Sequence, residues 1–390
     1  MTRTLAFISL GVFLIALLGA LNANQQAIDS DNPANANDLF VPRSTASSQA
    51  ALRTPVTGQL IGSALNLYHT EQLHLYHDAL EQMAATGFNA VQIVTPMFQD
   101  NGASATVQVR RGPGLGPSQS DIVSLLSHAR QLGLSTMLMP QINFKNPRGN
   151  EWRGKLQPEY WGPWWDSYRH TIHEFLEIAE ANQVDVFVIG CELLTTHKPE
   201  HEARWSELIT HAKQSFTGKL TYSTTWDTYH KVRFWDELDA VGVSGYWDIT
   251  TLAEDPEQPT DEELAKRWTQ IKQRLLAFAE SQNKPVLLTE VGYPSLPWAL
   301  TKPWNYINKD KLPPDNTAQA KGYAAFISAW RDTLSPSQAA SSQVDYWDGA
   351  DPVGVFFHKW DPYHRGGPAD YGYGVAGKPA YQHLAYWLRR

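Results

Sequence analysis

The sequence predicts an α/β fold in which eight parallel strands alternate with helices and close into a (β/α)8 barrel. From Thr57 onward, short apolar runs alternate with longer amphipathic stretches, which is the pattern of a parallel sheet whose strands are joined by helices. The chain has 390 residues, of which 42 % are hydrophobic and 18 % charged. It can therefore bury the core of one such barrel, which needs about 250 residues.

Each apolar run is short enough for a buried strand, and each amphipathic stretch has apolar residues at three- and four-residue spacing, as on one face of a helix. The predicted strands cover residues 60–67, 90–95, 135–141, 184–189, 220–223, 240–244, 286–289 and 353–357. The clearest helices cover residues 71–86, 120–132, 168–181, 203–215, 261–281 and 317–333. The segment around 234–238, between the fifth and sixth strands, is short.

The N-terminal residues precede the barrel and predict export. Residues 1–23 combine Arg3 with an apolar run over 5–21, which indicates a signal peptide or an N-terminal membrane anchor. Ala23 could end a cleaved peptide, although Leu21 is larger than the residue usual at that place before a cleavage site. Residues 24–55 are predicted to be a flexible spacer, and 56–390 the barrel domain. We expect a periplasmic, secreted or outward-facing, membrane-anchored protein.

Composition narrows the classes of partner. With 40 acidic and 32 basic residues, the formal net charge is −8, and there is no basic cluster, so we expect no nucleic-acid partner. The 15 Trp and 16 Tyr favour a polysaccharide or oligosaccharide, because flat rings stack on sugars, although most of them belong to the core. The single Cys191 allows no disulfide, and the chain has neither an HExxH nor a GxSxG motif. We expect a monomer without metal or cofactor.

Two glutamates follow predicted strands and are the candidate catalytic residues. Glu192 comes after the fourth strand in VDVFVIGCELL, and Glu290 comes after the seventh in PVLLTEVGYPS. The carboxyl ends of barrel strands meet in one bowl, where active sites lie. A carboxylate at the end of an apolar strand is costly unless a partner or water compensates it, and a structural salt bridge would explain either glutamate alone. Two of them in one bowl favour catalysis.

This arrangement resembles the clan A glycoside hydrolases. Glutamates after the fourth and seventh strands match that clan, and TEVGYPS resembles its nucleophile motif. The closing stretch VGVFFHKWDPYH…DYGYGVAGKPAYQHLAYW is similar to the last strand and helix of glycoside hydrolase family 113, TIM barrels that include β-mannanases. The resemblance implies a retaining endo-β-glycosidase, with β-1,4-mannan as the leading substrate. Glu290 would be the nucleophile and Glu192 the acid/base, with carboxyls about 5–5.5 Å apart.

Four further residues are candidates for substrate binding. The resemblance implies that Tyr246, in VSGYW, donates a hydrogen bond to the nucleophile, and that Trp360, in FFHKWDP, floors the sugar next to the cleaved bond. Trp226 follows the fifth strand and Asn143 the third, so both are expected at the lip of the bowl.

The chain departs from the clan pattern at two places. Cys191 stands where most members have an asparagine that contacts the sugar, and a thiol is only a weak donor and acceptor. The arginine that many members place at the end of the second strand is absent, and Arg110 and Arg111 in the following loop are the nearest candidates. Two other functions remain open: a catalytically silent barrel that binds polysaccharide at the cell envelope, and a hydrolase of the producer's own exopolysaccharide.

Overall fold

A computed structural model describes residues 56–112, 114–250, 259–336, 345–363 and 367–390. The predicted export segment and spacer lie outside these ranges. The strands are β1 (Leu60–Asn66), β2 (Ala90–Gln99), β3 (Ser135–Phe144), β4 (Val186–Cys191), β5 (Lys219–Thr225), β6 (Ala240–Ser244), β7 (Val286–Val291) and β8 (Gly354–Phe357). The helices are α1 (Leu73–Thr86), α2 (Gln119–Gln131), α3 (Trp161–Ala181), α4 (Glu202–Ser215), α5 (Asp261–Ser281), α6 (Asn316–Trp330) and α7 (Pro379–Leu388).

The eight strands form one closed parallel barrel in chain order. The circle closes where β1 pairs with β8, from Leu60 opposite Gly354 onward. The predicted (β/α)8 fold is thus confirmed. Between β5 and β6 the chain forms only the short 3-10 helices Tyr229–Lys231 and Trp235–Glu237, in agreement with the short segment expected there. In the described ranges, no helix combines the length and apolar character needed to cross a membrane.

Some element boundaries differ from the prediction for local reasons. β2 ends at Gln99 and β3 at Phe144, beyond the predicted ends, because the two strands remain paired over their whole length. α3 begins at Trp161 rather than at 168. Pro163 lies in its first turn, where a backbone N–H has no partner within the helix, so the proline does not delay the helix start.

Two apolar layers stabilise the barrel. Inside it, side chains such as Val94, Met139 and Val188 form a small cluster. Outside it, the strands pack against the helices through a larger cluster, which includes the fully buried Trp205 and Trp268. Burying apolar surface on both faces is what a parallel sheet requires, and it explains why the strands read as almost continuous apolar runs.

Toward the carboxyl ends of the strands the barrel interior becomes polar. The Ser223 hydroxyl on β5 lies 2.6 Å from the Thr289 hydroxyl on β7 and 3.0 Å from the Ser244 hydroxyl on β6. All three side chains are buried, and each needs a hydrogen-bond partner to remain so at low cost. This hydroxyl network supports the strand ends that carry the candidate site.

Candidate active site

Glu192 directly follows β4 in a turn with unusual backbone geometry. Its φ of +53° lies in the left-handed region, which costs a non-glycine residue roughly 1–3 kcal/mol and persists where the surroundings fix it. The Glu192 amide donates to the Ser223 carbonyl at 2.7 Å. The next amide, that of Leu193, donates to the buried Tyr222 hydroxyl at 2.8 Å. These bonds fix the direction in which the Glu192 side chain leaves the strand.

Glu290 lies near the carboxyl end of β7, opposite Ser244 of β6. The Gly245 amide donates to the Glu290 carbonyl at 2.6 Å, which ties the ends of β6 and β7 together. From the same segment, the Tyr246 hydroxyl donates to Glu290 Oε2 at 2.6 Å. The structure therefore brings Tyr246 to the carboxylate for which it was predicted as donor.

The two carboxyls share one buried environment. Glu192 is 6 % exposed and Glu290 is 5 % exposed. Burial raises the pKa of Glu192; the positive charge of Arg153 opposes this rise, and the negative charge of Glu290 adds to it. Burial also raises the pKa of Glu290, against the lowering effects of the Tyr246 hydrogen bond and of Arg153. The charge of Glu290 thus acts directly on the protonation of Glu192, and an ionised Glu290 favours the neutral form of its neighbour.

Arg153 is a central residue of the site that the sequence analysis missed. Its Nη2 atom lies 2.5 Å from Glu192 Oε2, across a separation of 39 residues. Burial acts to lower the pKa of Arg153, but Glu192 and the other acidic groups around it, Glu290 among them, together outweigh this effect, so the guanidinium remains a permanent cation. Arg153 lies in a 3-10 helix of the long loop after β3. Neither apolar periodicity nor a position directly after a strand therefore distinguishes it in the sequence.

The arginines expected from the clan pattern lie elsewhere, and that expectation is corrected. Arg111 pairs with Glu174 of α3 at 3.1 Å, and Arg110 stacks on the Phe98 ring at 5.9 Å. Both lie in the loop between β2 and α2. Arg153 supplies the positive charge instead.

His358 and Tyr373 form the wall next to Glu290. His358 directly follows β8, and its Nδ1 lies 3.7 Å from Glu290 Oε2. Burial lowers the pKa of His358 to about 3, with further lowering by Lys359 and Arg153, so the imidazole is neutral near pH 7. The Tyr373 ring packs edge-on against His358 at 4.9 Å. The sequence could have identified His358, because it is the first residue after the eighth apolar run and residues at that place in a barrel lie at the active site.

A second group of residues near the two carboxyls comes from the segment after β1 and from β3 and β4. The Tyr68 hydroxyl donates to Gln141 Oε1 at 2.9 Å, and Gln141 Nε2 donates to the Cys191 sulfur at 3.4 Å. Asn143, predicted at the lip, hydrogen-bonds the same Tyr68 hydroxyl. Burial raises the pKa of the Cys191 thiol to about 12, so the sulfur is a neutral thiol and a poor nucleophile.

The two predicted tryptophans have different positions. Trp226 is half-buried, and its ring packs edge-on against Tyr246 at 6.2 Å, so it does belong to the site's surroundings. Trp360 is 4 % exposed and packs between Phe88 and Tyr381, with ring centres 6.0 and 6.3 Å away. These contacts belong to the larger apolar cluster, in which the strands pack against the helices. The structure does not place Trp360 on the floor of the bowl, and its predicted role is not retained.

Comparison with solved structures shows the same fold in known enzymes. A complex of a GH113 β-1,4-mannanase has a TM-score of 0.68 at 23 % identity, covering 85 % of this chain and 99 % of that one. The GH113 β-mannanase AaManA from Alicyclobacillus acidocaldarius, in complex with ManMIm, gives 0.67 at 24 %, with 85 % and 97 % covered. A Faecalibacterium prausnitzii β-glucuronidase gives 0.54 at 14 %, with 85 % and 49 % covered.

Comparison at the sequence level identifies the family. A comparison with curated protein sequences finds no match. The family model of Glycoside Hydrolase Family 113, however, matches residues 68–334, which is more than half of the chain. With the closed barrel and the likeness to GH113 structures, this match shows that the chain is a glycoside hydrolase and belongs to Glycoside Hydrolase Family 113.

Proposed function

We propose that the protein is a retaining endo-β-glycosidase that hydrolyses β-1,4-mannan. The observation that carries the proposal is the pair of buried, electrostatically coupled glutamates at the ends of β4 and β7. One is held by a permanent cation, Arg153, and the other by the neutral donor Tyr246. Pairs of carboxyls in different environments are how glycosidases separate an acid/base from a nucleophile.

In the proposed first step, the Glu290 carboxylate attacks the anomeric carbon and the glycosidic C–O bond breaks. Glu192 transfers its proton to the leaving oxygen, so a neutral hydroxyl departs. The hydrogen bond from Tyr246 favours the ionised form of Glu290 before the attack. The neutral His358 beside it forms no ion pair that would compete for the nucleophile.

In the proposed second step, water attacks the anomeric carbon of the glycosyl-enzyme. Glu192, now ionised, takes the proton of that water, and the ester bond to Glu290 breaks. The carboxylate of Glu290 and the proton on Glu192 are thereby restored. The product keeps the configuration of the substrate, because two inversions have taken place.

The choice of β-1,4-mannan rests on the family and on its solved members, which are named as β-1,4-mannanases. The two alternatives differ in what they predict. A silent barrel would bind polysaccharide without cleaving it, whereas a hydrolase of the producer's own exopolysaccharide would cleave that polymer in preference to mannan. Measuring reducing ends released from mannan, β-glucan, xylan and amino-sugar polymers separates these outcomes. If the protein cleaves another polymer but not mannan, the proposed substrate is contradicted. If it cleaves none of the polymers, the proposed catalysis is contradicted.

Azide distinguishes the roles of the two glutamates. Glu290→Ala should be inactive but rescued by azide with inverted product configuration, because the anion attacks from the vacated side. Glu192→Ala should still form the glycosyl-enzyme from a dinitrophenyl glycoside, which needs little protonation, and azide should release a product of retained configuration. Glu200→Ala, at an exposed glutamate shortly after Glu192, is the matched control and should behave as wild type. An inverted azide product from Glu192→Ala would show that the roles are reversed.

We also propose that the enzyme acts outside the cytoplasm, since residues 1–23 have the pattern of an export segment. Fractionation of expressing cells, followed by N-terminal sequencing of the mature chain, tests this. A cytoplasmic chain that starts at Met1 would contradict it.

A further inference from the structure

The loop between β7 and α6 carries exposed aromatic side chains. Trp304 is 48 % exposed and Tyr306 is 61 % exposed, and the neighbouring Ile307 is also exposed. Single apolar residues on a surface need no explanation, whereas several on one loop can together form a surface that binds a ligand. Trp304 and Tyr306 form an aromatic rim.

Two hydrogen bonds hold the backbone of this loop on either side of Trp304. The Tyr373 hydroxyl donates to the Pro303 carbonyl at 2.6 Å, directly before Trp304. Trp298 Nε1 donates to the Asn305 carbonyl at 2.7 Å, between the two exposed rings. A rim that is already ordered loses little conformational entropy when a ligand binds.

Tyr306 of the aromatic rim lies two ring contacts away from the catalytic site. Tyr246, which hydrogen-bonds Glu290, has its ring centre 6.1 Å from that of Tyr373. The Tyr373 ring centre is in turn 6.2 Å from that of Tyr306. Each step is comparable to the length of one sugar residue in a β-linked chain. A polysaccharide whose cleaved bond lies at Glu290 could therefore reach Tyr306 within a few sugar residues.

We propose that Trp304 and Tyr306 form a distal subsite that binds sugar residues of the polysaccharide beyond those at the two carboxyls. The C–H faces of a pyranose ring are apolar and flat, so they match an exposed aromatic ring, while the sugar hydroxyls remain in water. The proposal rests on the proposed function, because it takes the substrate to be a polymer of β-linked sugars. It assigns the rim the role of selecting long chains over short ones.

The test compares Trp304→Ala/Tyr306→Ala with Tyr386→Ala, which removes an equally exposed tyrosine from α7. Binding is measured by native electrophoresis in gels that contain glucomannan, xylan, β-glucan or chitosan. Retention means that the protein migrates more slowly in such a gel than in a gel without polysaccharide. Rates are measured on soluble mannan and on an aryl β-mannoside. We expect the rim variant to lose retention, and its ratio of kcat/KM on mannan to kcat/KM on the aryl glycoside to fall roughly tenfold. The control should keep the wild-type retention and ratio, and thermal melts confirm that both variants fold.

Two results would overturn the proposal: a rim variant retained as strongly as wild type, or a wild-type chain that none of the four polymers retains. The first is also the result expected if the rim binds another protein. Electrophoresis does not depend on cleavage, so it separates this proposal from the proposed function. Loss of retention in the rim variant, together with a wild type that cleaves nothing, would support the subsite and reject the hydrolase mechanism.

Discussion

Replacing Arg153 by glutamine tests how the site controls its proposed acid. The guanidinium lies 2.5 Å from Glu192 Oε2, and both side chains are largely buried. Arg153 lowers the pKa of Glu192 against the effect of burial, so its removal should let that pKa rise. Glu192 must be protonated in the first step. The fall in kcat/KM on the alkaline side should therefore move to higher pH in Arg153→Gln.

The rate should also decrease, because Arg153 positions the carboxylate. A hydrogen bond to a charged group contributes roughly 1.5–3 kcal/mol, and about 1.4 kcal/mol corresponds to a factor of ten in rate. At the wild-type optimum we therefore expect kcat to be lower by roughly 10- to 100-fold. Arg153→Lys retains the charge but not the planar fork, so its alkaline limb should move less than that of the glutamine variant.

The assay is the pH dependence of kcat/KM on soluble mannan, whose leaving oxygen must be protonated, with Arg148→Gln as the control. Arg148 belongs to the same loop, but it is 60 % exposed and pairs with Glu151 rather than with Glu192. Its variant should have the wild-type pH profile. An alkaline limb in Arg153→Gln that stays in place, or moves to lower pH, would refute the reasoning that Arg153 sets the protonation of the catalytic acid.

Three other substitutions give separate predictions. Tyr246→Phe removes a bond that lowers the pKa of Glu290, so the acidic limb of the pH profile should move to higher pH and kcat should fall about tenfold or more; an unchanged profile would contradict this. Cys191→Ala should retain most of the activity on mannan, because the buried thiol is neutral; complete loss in a folded variant would show a direct role in the chemistry. Tyr222→Phe leaves the amide after Glu192 without its partner, so urea titration should show unfolding easier by about 1–3 kcal/mol, whereas wild-type stability would show that this bond contributes little.

The barrel could be predicted from the sequence because burial of both sheet faces makes its strands read as apolar runs. The same property explains the boundary errors. The last residues of β2 and β3 mix buried apolar side chains, Met97 and Ile142, with polar ones such as Gln99 and Asn143. Apolar periodicity does not show where such a mixed segment ends, whereas the pairing of the two strands does. The first and last residues of the loops, and the first residue of α3, also depend on tertiary contacts.

The residues of the site likewise fall into those that the sequence pattern could identify and those that it could not. Residues at strand ends could be found, because the barrel brings all these ends together; this identified Glu192, Glu290 and Tyr246. Arg153 could not be found, since its position depends on how a loop folds back across the bowl. The packing of Trp360 in the outer apolar cluster could not be found either, because its distance from the strand end does not show which side chains it contacts; its amide donates to the Ala64 carbonyl at 3.0 Å.

The arrangement of charges accounts for how one glutamate can serve as acid and then as base in the proposed mechanism. In the free enzyme, burial and the Glu290 charge both raise the pKa of Glu192, which favours the protonated form needed in the first step. When Glu290 becomes an ester in the glycosyl-enzyme, its negative charge disappears, while the cation of Arg153 remains. The pKa of Glu192 must then fall, because one of its raising causes is lost and its lowering cause is kept. The carboxyl is thus more readily ionised at the stage when it has to accept a proton from water. Arg153 therefore has its greatest effect in the second step, and Arg153→Gln should accumulate glycosyl-enzyme from activated substrates.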